Sequence, residues 1–494
     1  MRHQLMKFLG LASFLPLLAS SQPGGQTISG VVSSDASGEW LEGVQVTAPV
    51  SGRISGTQAD GVFYITISDK DSVLKFDLPG YESTQLKLTG RTDYTIKLHK
   101  AGKNNLLAEV PVGKWRGSFT VQDNQEVPFN FEIARTNTGM QRVYFLNGDE
   151  RFDGGSVITK NDTLLLSLEP FEKELYLTQT TTGWEGALRN AGSQAGGLPV
   201  KAQFNNTQRF AVPTGVPATD ISGTYAIEFT GANGKTEQAV GLFSQEGNRL
   251  KATFLRITGD SRYLEGVIDG NNFVLSSFIG NGPGFYKGSF DKNKNIAGAI
   301  IGQRGSQPFT GKYDEHATLP DPYGLTTLKQ GYSSLSFSFP AADGKQISPD
   351  DASFKNKVVV LSITGSWCPN CMDESAFLAP WYRANKNRGV EIIAIHYERR
   401  TDPAYVWPAL KRFRNKFDIS YTQVLGGRAD KQEVAASLPA LNTFLSFPTL
   451  IFIDKKGKVD KIHTGFSGPA TGKHYTQFIQ EFNQEIDKLV NQKN

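Results

Sequence analysis

Trp367-Cys368-Pro369-Asn370-Cys371 contains the only two cysteines of a 494-residue chain. The pentapeptide follows Val358-Val359-Val360-Leu361-Ser362-Ile363-Thr364, an apolar run of the kind found in parallel strands buried on both faces. Met372-Asp373-Glu374-Ser375-Ala376-Phe377-Leu378 comes next and reads as the first turns of a helix. A C-x-x-C pair at a strand-to-helix junction meets the unpaired N–H groups and the positive dipole end of that helix. Both favour thiolate over thiol, so the first cysteine is expected to titrate below the free value of roughly 8.5. Cys368, at the helix tip, is expected to be an exposed attacking thiolate. Cys371, one turn further in, is expected to be the buried resolving thiol. A structural disulfide across so short a loop would stabilise by only about 2 kcal/mol. A zinc site would need a second cysteine pair or nearby histidines, and the six histidines lie far off in sequence. No metal site and no cofactor are therefore expected.

Two acids follow the cysteines. Glu374 is three residues after Cys371 and shares its helix face. A carboxyl buried there would have a raised pKa and could take the Cys371 proton as that thiol attacks. Asp373 lies about 100° further round and is expected to be solvated. His396, His463 and His474 are read as strand-end or cap residues without a catalytic role.

Further on, Ser446-Phe447-Pro448-Thr449 precedes the strand-like Leu450-Ile451-Phe452-Ile453. In combination with the pentapeptide and its strand, this resembles the thioredoxin superfamily, and within it the TlpA/ResA-like thiol-disulfide oxidoreductases, over residues 332–494. The resemblance implies an α/β fold in which Pro448 is a cis-proline facing the cysteines. The backbone of Phe447 would then be open to pair with a substrate strand. Trp367 and Pro369 would wall the substrate site beside Cys368, and an acidic residue at the offset of Glu374 fits the family. The implied partners are protein disulfide substrates and a membrane thiol electron donor. Pro369-Asn370 replaces the Gly-Pro of thioredoxin and the Glu-Pro of some ResA-like proteins, which leaves the redox direction open. A thiol peroxidase is the nearest alternative, although Gly365 stands where the threonine of the peroxiredoxin P-x-x-x-T-x-x-C motif belongs. A β-rich binding protein with a vestigial redox domain is the alternative from another class.

The rest of the chain reads as a series of β-rich modules. Charged residues make up 20% and the net charge is +4, with no Lys/Arg stripe, so nucleic acid is not an expected partner. Residues 1–21 read as a secretory signal peptide, with Arg2 and Lys7 ahead of an apolar core at 8–18 that is too short to span a bilayer. A soluble periplasmic protein is expected. Residues 26–99 resemble the carboxypeptidase regulatory-like domain, a prealbumin-like β-sandwich with an Asp60-Gly61 turn. Residues 113–315 show short alternating runs in two similar sets, read as a weak duplication of an antiparallel β unit, packed as two sheets or a barrel. Gly186 and Gly288, 102 positions apart, mark the proposed match. Residues 316–331 read as a linker. In the C-terminal region Leu335-Ser336-Phe337-Ser338-Phe339 reads as an edge strand and Pro380 as a kink or end of the first helix. The last helix, 474–490, carries Phe478, Phe482, Ile486 and Leu489 on one face.

Overall fold

The computed structural model describes residues 26–492, apart from 59, 102–109, 137–138, 161, 192, 194–195, 218 and 304. The signal peptide read at 1–21 lies outside the described residues. In the C-terminal unit, β1 (Val358–Thr364) leads into α1 (Pro369–Asn385) and β2 (Val390–Glu398). Then come α2 (Pro403–Phe417), β3 (Thr422–Arg428) and α3 (Lys431–Ser437). A hairpin of β4 (Thr449–Ile453) and β5 (Val459–Thr464) precedes the closing α4 (Lys473–Asn491). The sheet order is β3-β2-β1-β4-β5, with the first three strands parallel and the last two antiparallel.

The pleat divides the buried side chains of β1 between two cores. Val358 and Val360 join Phe377, Leu378, Phe482 and Ile486 of α1 and α4. Val359, Leu361 and Ile363 join Val434 of α3 and Leu335 and Phe337 of the preceding segment. Leu335 and Phe337 therefore cover the sheet as packed side chains. Only Phe339–Pro340 is a strand, paired with Gln346–Ile347, which corrects the expected five-residue edge strand. Pro380 does not end α1, which continues to Asn385. Both Pro380 and Ala376, whose carbonyl loses its helical partner there, are on the exposed side, so water can serve that carbonyl.

Residues 26–98 form two sheets around one core. Gln26–Ser34 lies between Val62–Ile67 and Asp93–Leu98, and Gln45–Ala48 between Arg53–Gly56 and Val73–Asp77, with Thr84–Lys87 at the edge. Val32, Val46, Phe63, Phe76 and Leu98 fill the space between them.

Two antiparallel barrels follow. Over residues 113–204, eight strands among the described residues close when Gly113–Thr120 pairs with Leu198–Phe204. Over residues 223–313, Gly223–Thr230 pairs with Ser306–Tyr313, and Thr236–Glu246 with Arg249–Arg256, so that this sheet also returns on itself. A short extra strand, Gly259–Asp260, folds back on Leu255 and Arg256. The matched glycines do not occupy equivalent strands. Gly186 lies in Gly183–Asn190, seventh of the first barrel, and Gly288 in Gly284–Phe290, sixth of the second when the short strand is left out. Each serves its own crowding: a Cβ would overlap the Tyr176 carbonyl at Gly186 and the Phe273 ring at Gly288. Their spacing is therefore no register of a repeat.

The barrels are welded together. Phe278 of the second inserts into the first, with ring centroids 4.7–4.8 Å from Phe119, Phe129 and Phe145. Buried Arg209 donates to Ser276 O at 2.9 Å and Asn147 Oδ1 at 3.1 Å, partners that a buried guanidinium needs. The segment 316–331 is also docked. Tyr323 stacks edge-on to His463 at 4.9 Å, Thr464 Oγ1 donates to Thr326 Oγ1 at 2.8 Å, and Leu328 bridges to Leu441. Phe278→Ala is expected to cost about 3–5 kcal/mol, as for other buried aromatics, and to lower the urea midpoint. An unchanged midpoint would mean that the ring is not a wedge.

Candidate functional site

The all-buried β1 delivers the chain to residue 364 at the carboxyl edge of the sheet. Beyond it, the Ser366 N–H and Oγ both donate to the Glu398 carboxylate at 2.8 Å. Glu398 ends β2, beside β1 in parallel register, and is buried. Trp367 Nε1 donates to Tyr397 O at 2.9 Å, which sets the indole as a half-buried wall. The sequence reading missed Glu398. An acid closing the otherwise apolar Val390–Glu398 run is the signal that could have found it.

Cys368 is the N-cap of α1, with an extended backbone, and its Sγ accepts the Cys371 N–H at 3.3 Å. Pro369 takes the first helical position, where a missing N–H costs nothing. Cys368 and Cys371 are joined as a disulfide with Cα atoms 5.2 Å apart. The Phe447–Pro448 peptide is cis. Cys368 Sγ lies 3.7 Å from Phe447 O, and the Phe447 ring packs edge-on to Trp367 at 5.6 Å. Trp367, Cys368, Pro369, Cys371, Phe447 and Pro448 thus share one locus, with Glu374 one helical turn beneath.

Two expectations fail there. Cys368 is only 5% exposed against 0% for Cys371, so the order of burial is as expected but the attacking sulfur is not open to solvent. Its cover comes from residues 257–262 of the second barrel. Ser446 Oγ donates to Thr258 O at 2.8 Å, Gly468 N to Asp260 Oδ2 at 2.6 Å, and Arg262 Nη1 to Pro369 O at 3.0 Å. Gly259 presses on Asn370 so closely that a Cβ would overlap its amide. This turn is bonded to the side chain of Ser446, the residue before Phe447. Asp373 is likewise not solvated. It is ion-paired to Arg262, which also pairs with Glu150 of the first barrel at 2.5 Å. Burial first, opposed by Arg262 and assisted by Asp260, pushes the Asp373 carboxyl up to about 7.

Glu374 is fully buried, and burial pushes its carboxyl up to about 8, opposed by the Ser362 hydroxyl that donates to Oε2 at 2.6 Å. Oε1 is buried with no hydrogen-bond partner among the described residues. Of the histidines, His396 Nε2 lies 2.9 Å from Gln423 Nε2, and His463 Nδ1 donates to Gly465 O at 3.1 Å; both are buried scaffold. Among the described residues no group of His, Cys, Asp and Glu could hold a metal ion, and no helix is long and apolar enough to cross a membrane.

The sequence profile of the AhpC/TSA family matches residues 331–462. The chain is 28% identical over 142 residues to the thiol-disulfide oxidoreductase ResA of Bacillus subtilis, covering 29% of this chain and 71% of that protein. With ResA of Bacillus cereus it is 31% identical over 144 residues, covering 27% of this chain and 75% of the relative. A solved thiol-disulfide oxidoreductase from Bacteroides fragilis is 23% identical, covering 31% of this chain and 99% of that one, with a TM-score of 0.24.

Two outcomes follow from this geometry. Glu374 holds a proton between its ordinary 4.5 and about 8 that the unfolded chain releases. Its contribution to stability is therefore full below about pH 4.5 and is lost as pH rises to about 8, at about 1.4 kcal/mol per pH unit. Glu374→Gln is expected to remove that slope, so urea midpoints of parent and variant should diverge from pH 5 to pH 8 in the variant's favour. Parallel curves would show the carboxyl to be unperturbed. Gly259→Ala is expected to lift the turn from Asn370 and speed reduction of the Cys368–Cys371 disulfide by dithiothreitol several-fold. No change in that rate would show that the turn does not limit access.

Proposed function

Because the chain belongs, through its C-terminal third, to the thiol-disulfide oxidoreductases that include ResA, we propose that it is an exported reductase of protein disulfides working through Cys368 and Cys371. The observation that carries the proposal is the helix-capping sulfur of Cys368, 3.7 Å from the carbonyl that precedes the cis-proline Pro448. The N–H of Cys371 and the helix dipole favour a thiolate at that position.

In the reduced protein, the Cys368 thiolate attacks one sulfur of a substrate disulfide. A mixed disulfide forms and the second substrate sulfur leaves as a thiolate, which takes a proton from water. Cys371 then attacks Cys368 Sγ, the mixed bond breaks, and the remaining substrate sulfur leaves. Glu374 takes the Cys371 proton. A carboxyl pushed up to about 8 is a far better match to a thiol proton than an ordinary glutamate. Two electrons have passed to the substrate, and the protein is left with the Cys368–Cys371 disulfide. A membrane dithiol donor returns both electrons. Trp367, Pro369 and Phe447 wall the substrate site, and the turn at 257–262 must move aside for a protein substrate to reach Cys368. Residues 1–21 direct export to the periplasm, and residues 26–99 act as a carboxypeptidase regulatory-like spacer. The AhpC/TSA match favours a second reading, peroxide reduction by Cys368, which predicts peroxide consumption faster than insulin reduction.

Cys368→Ser is expected to abolish insulin reduction. Cys371→Ser is expected to retain substrate as a mixed disulfide on Cys368, seen as a reductant-sensitive shift on non-reducing gels of periplasmic extract. Glu374→Gln should slow resolution by about 10²-fold and remove its rise toward pH 8. Full insulin reduction by Cys368→Ser would end the proposal.

A further inference from the structure

A crevice of about 540 Å³ lies where the N-terminal sandwich, the first barrel and the C-terminal unit meet. It is lined by Arg53, Lys173, Arg399, Arg400 and Arg412, against two carboxylates, Glu172 and Glu174. Five cations thus face two acids, and the lining carries an excess of positive charge. Glu174 is already paired with Arg189 at 2.6 Å. Glu172 accepts from the Tyr405 hydroxyl, and burial, opposed by Arg400, Arg399 and Arg412 and assisted by Glu398, pushes its carboxyl up.

Arg400 is paired with Asp402 at 3.0 Å, but two other lining cations lack full satisfaction among the described residues. Arg412 lies over the Tyr64 ring at 3.7 Å, and its Nη1 is buried with no hydrogen-bond partner among the described residues. Arg53 donates through Nη1 to Thr66 O at 2.7 Å, while its Nε is buried and unmatched. Lys173 is pushed down by burial and then by Arg399. Buried donors without acceptors cost free energy that an anion would recover. Guanidinium groups are the natural partners of carboxylates.

Arg399 links the crevice to the segment that precedes the dithiol. The parallel register of β1 and β2, with Thr364 opposite His396, brings residues 366–368 alongside 398–400 at the carboxyl edge of the sheet. Arg399 lies over the indole of Trp367 at 5.1 Å, and Trp367 precedes Cys368. A chain held in the crevice would therefore end beside Trp367, next to Cys368.

We propose that this crevice binds an acidic polypeptide segment, the Asp/Glu-rich flank of the substrate disulfide. The inference rests on the reading of the dithiol as a reductase of protein disulfides and names the class of protein it prefers.

The test uses the full reduced protein and three synthetic peptides with one common Cys-x-x-Cys disulfide, flanked by four Asp/Glu, four Ser or four Lys residues. The acidic peptide is expected to be reduced with a kcat/KM about tenfold above the Ser peptide, through a lower KM, and the Lys peptide to be slowest. The acidic preference should shrink toward unity in 0.5 M NaCl. Arg412→Gln should remove most of it and leave the Ser peptide unaffected, while Arg412→Lys should keep it. Equal kcat/KM for acidic and Ser peptides, or a preference intact in Arg412→Gln, would overturn the proposal. If none of the three is reduced, the reductase reading fails. Direct binding of fluorescent acidic and Ser peptides to the oxidised protein then decides the crevice, and equal binding overturns it.

Discussion

Arg262 is where three folding units converge. It belongs to the second barrel, pairs with Glu150 of the first, and reaches α1 of the C-terminal unit through Asp373 and the Pro369 carbonyl. Its side chain is only 11% exposed, so each of these partners matters. Removing one from a buried charge group leaves another charge uncompensated, at a cost of several kcal/mol. That penalty keeps residues 257–262 against the dithiol, since Asp260 and Thr258 lie on the same turn and bond to Gly468 and Ser446. Phe278 and Arg209 join the two barrels, so the turn is mounted on a large rigid body and is not a free loop.

In the proposed reaction, access to Cys368 requires this turn to open. A small reductant and a protein substrate must both meet a sulfur that is 5% exposed while the turn is in place. The rate of thiol–disulfide exchange depends on access as well as on nucleophilicity. Three hydrogen bonds and an ion pair hold the turn, and typical net values near 1 kcal/mol per bond make the open form a minor population. Local opening of this kind draws on the weaker parts of a structure. Here the charged part of the contact, the Arg262 group, is also the one that salt and pH address.

What could be read from sequence divides along contact range. The strand 358–364, the pentapeptide, the helix start and the Phe447-Pro448 turn are local patterns, and each is set by residues within a few positions of itself. The cover on Cys368 comes from residues more than 100 positions upstream, and a single sequence carries no trace of that pairing. Asp373 shows the same limit. Helical spacing correctly separates it from Glu374 by about 100°, yet spacing says nothing about what packs on each side. Alternation marked strands throughout 113–315 because each strand faces a core. Closure into barrels depends on the pairing of first and last strands, about 80 residues apart, and nothing local marks Phe278 as the ring that enters the other barrel.

Glu374 and Asp373 then explain each other. They are adjacent on α1, and both carboxyls are pushed up, to about 8 and about 7. Burial dominates in each, but the remaining influences differ. Glu374 has only the Ser362 hydroxyl to favour its charge, whereas Asp373 has the Arg262 guanidinium opposed by Asp260. One acid faces the core of the C-terminal unit, and the other faces the barrels. Ionising Asp373 strengthens its attraction to Arg262 and so tightens the cover. Ionising Glu374 places an unneutralised charge in the core beneath Cys371, where accepting a proton is favourable. The same short stretch of helix therefore carries two buried acids whose carboxyls are both pushed up. In the proposed reaction, one bears on whether the sulfur can be reached, and the other on whether the neighbouring thiol can give up its proton. A helix whose N-terminus holds the disulfide is the one element that touches both.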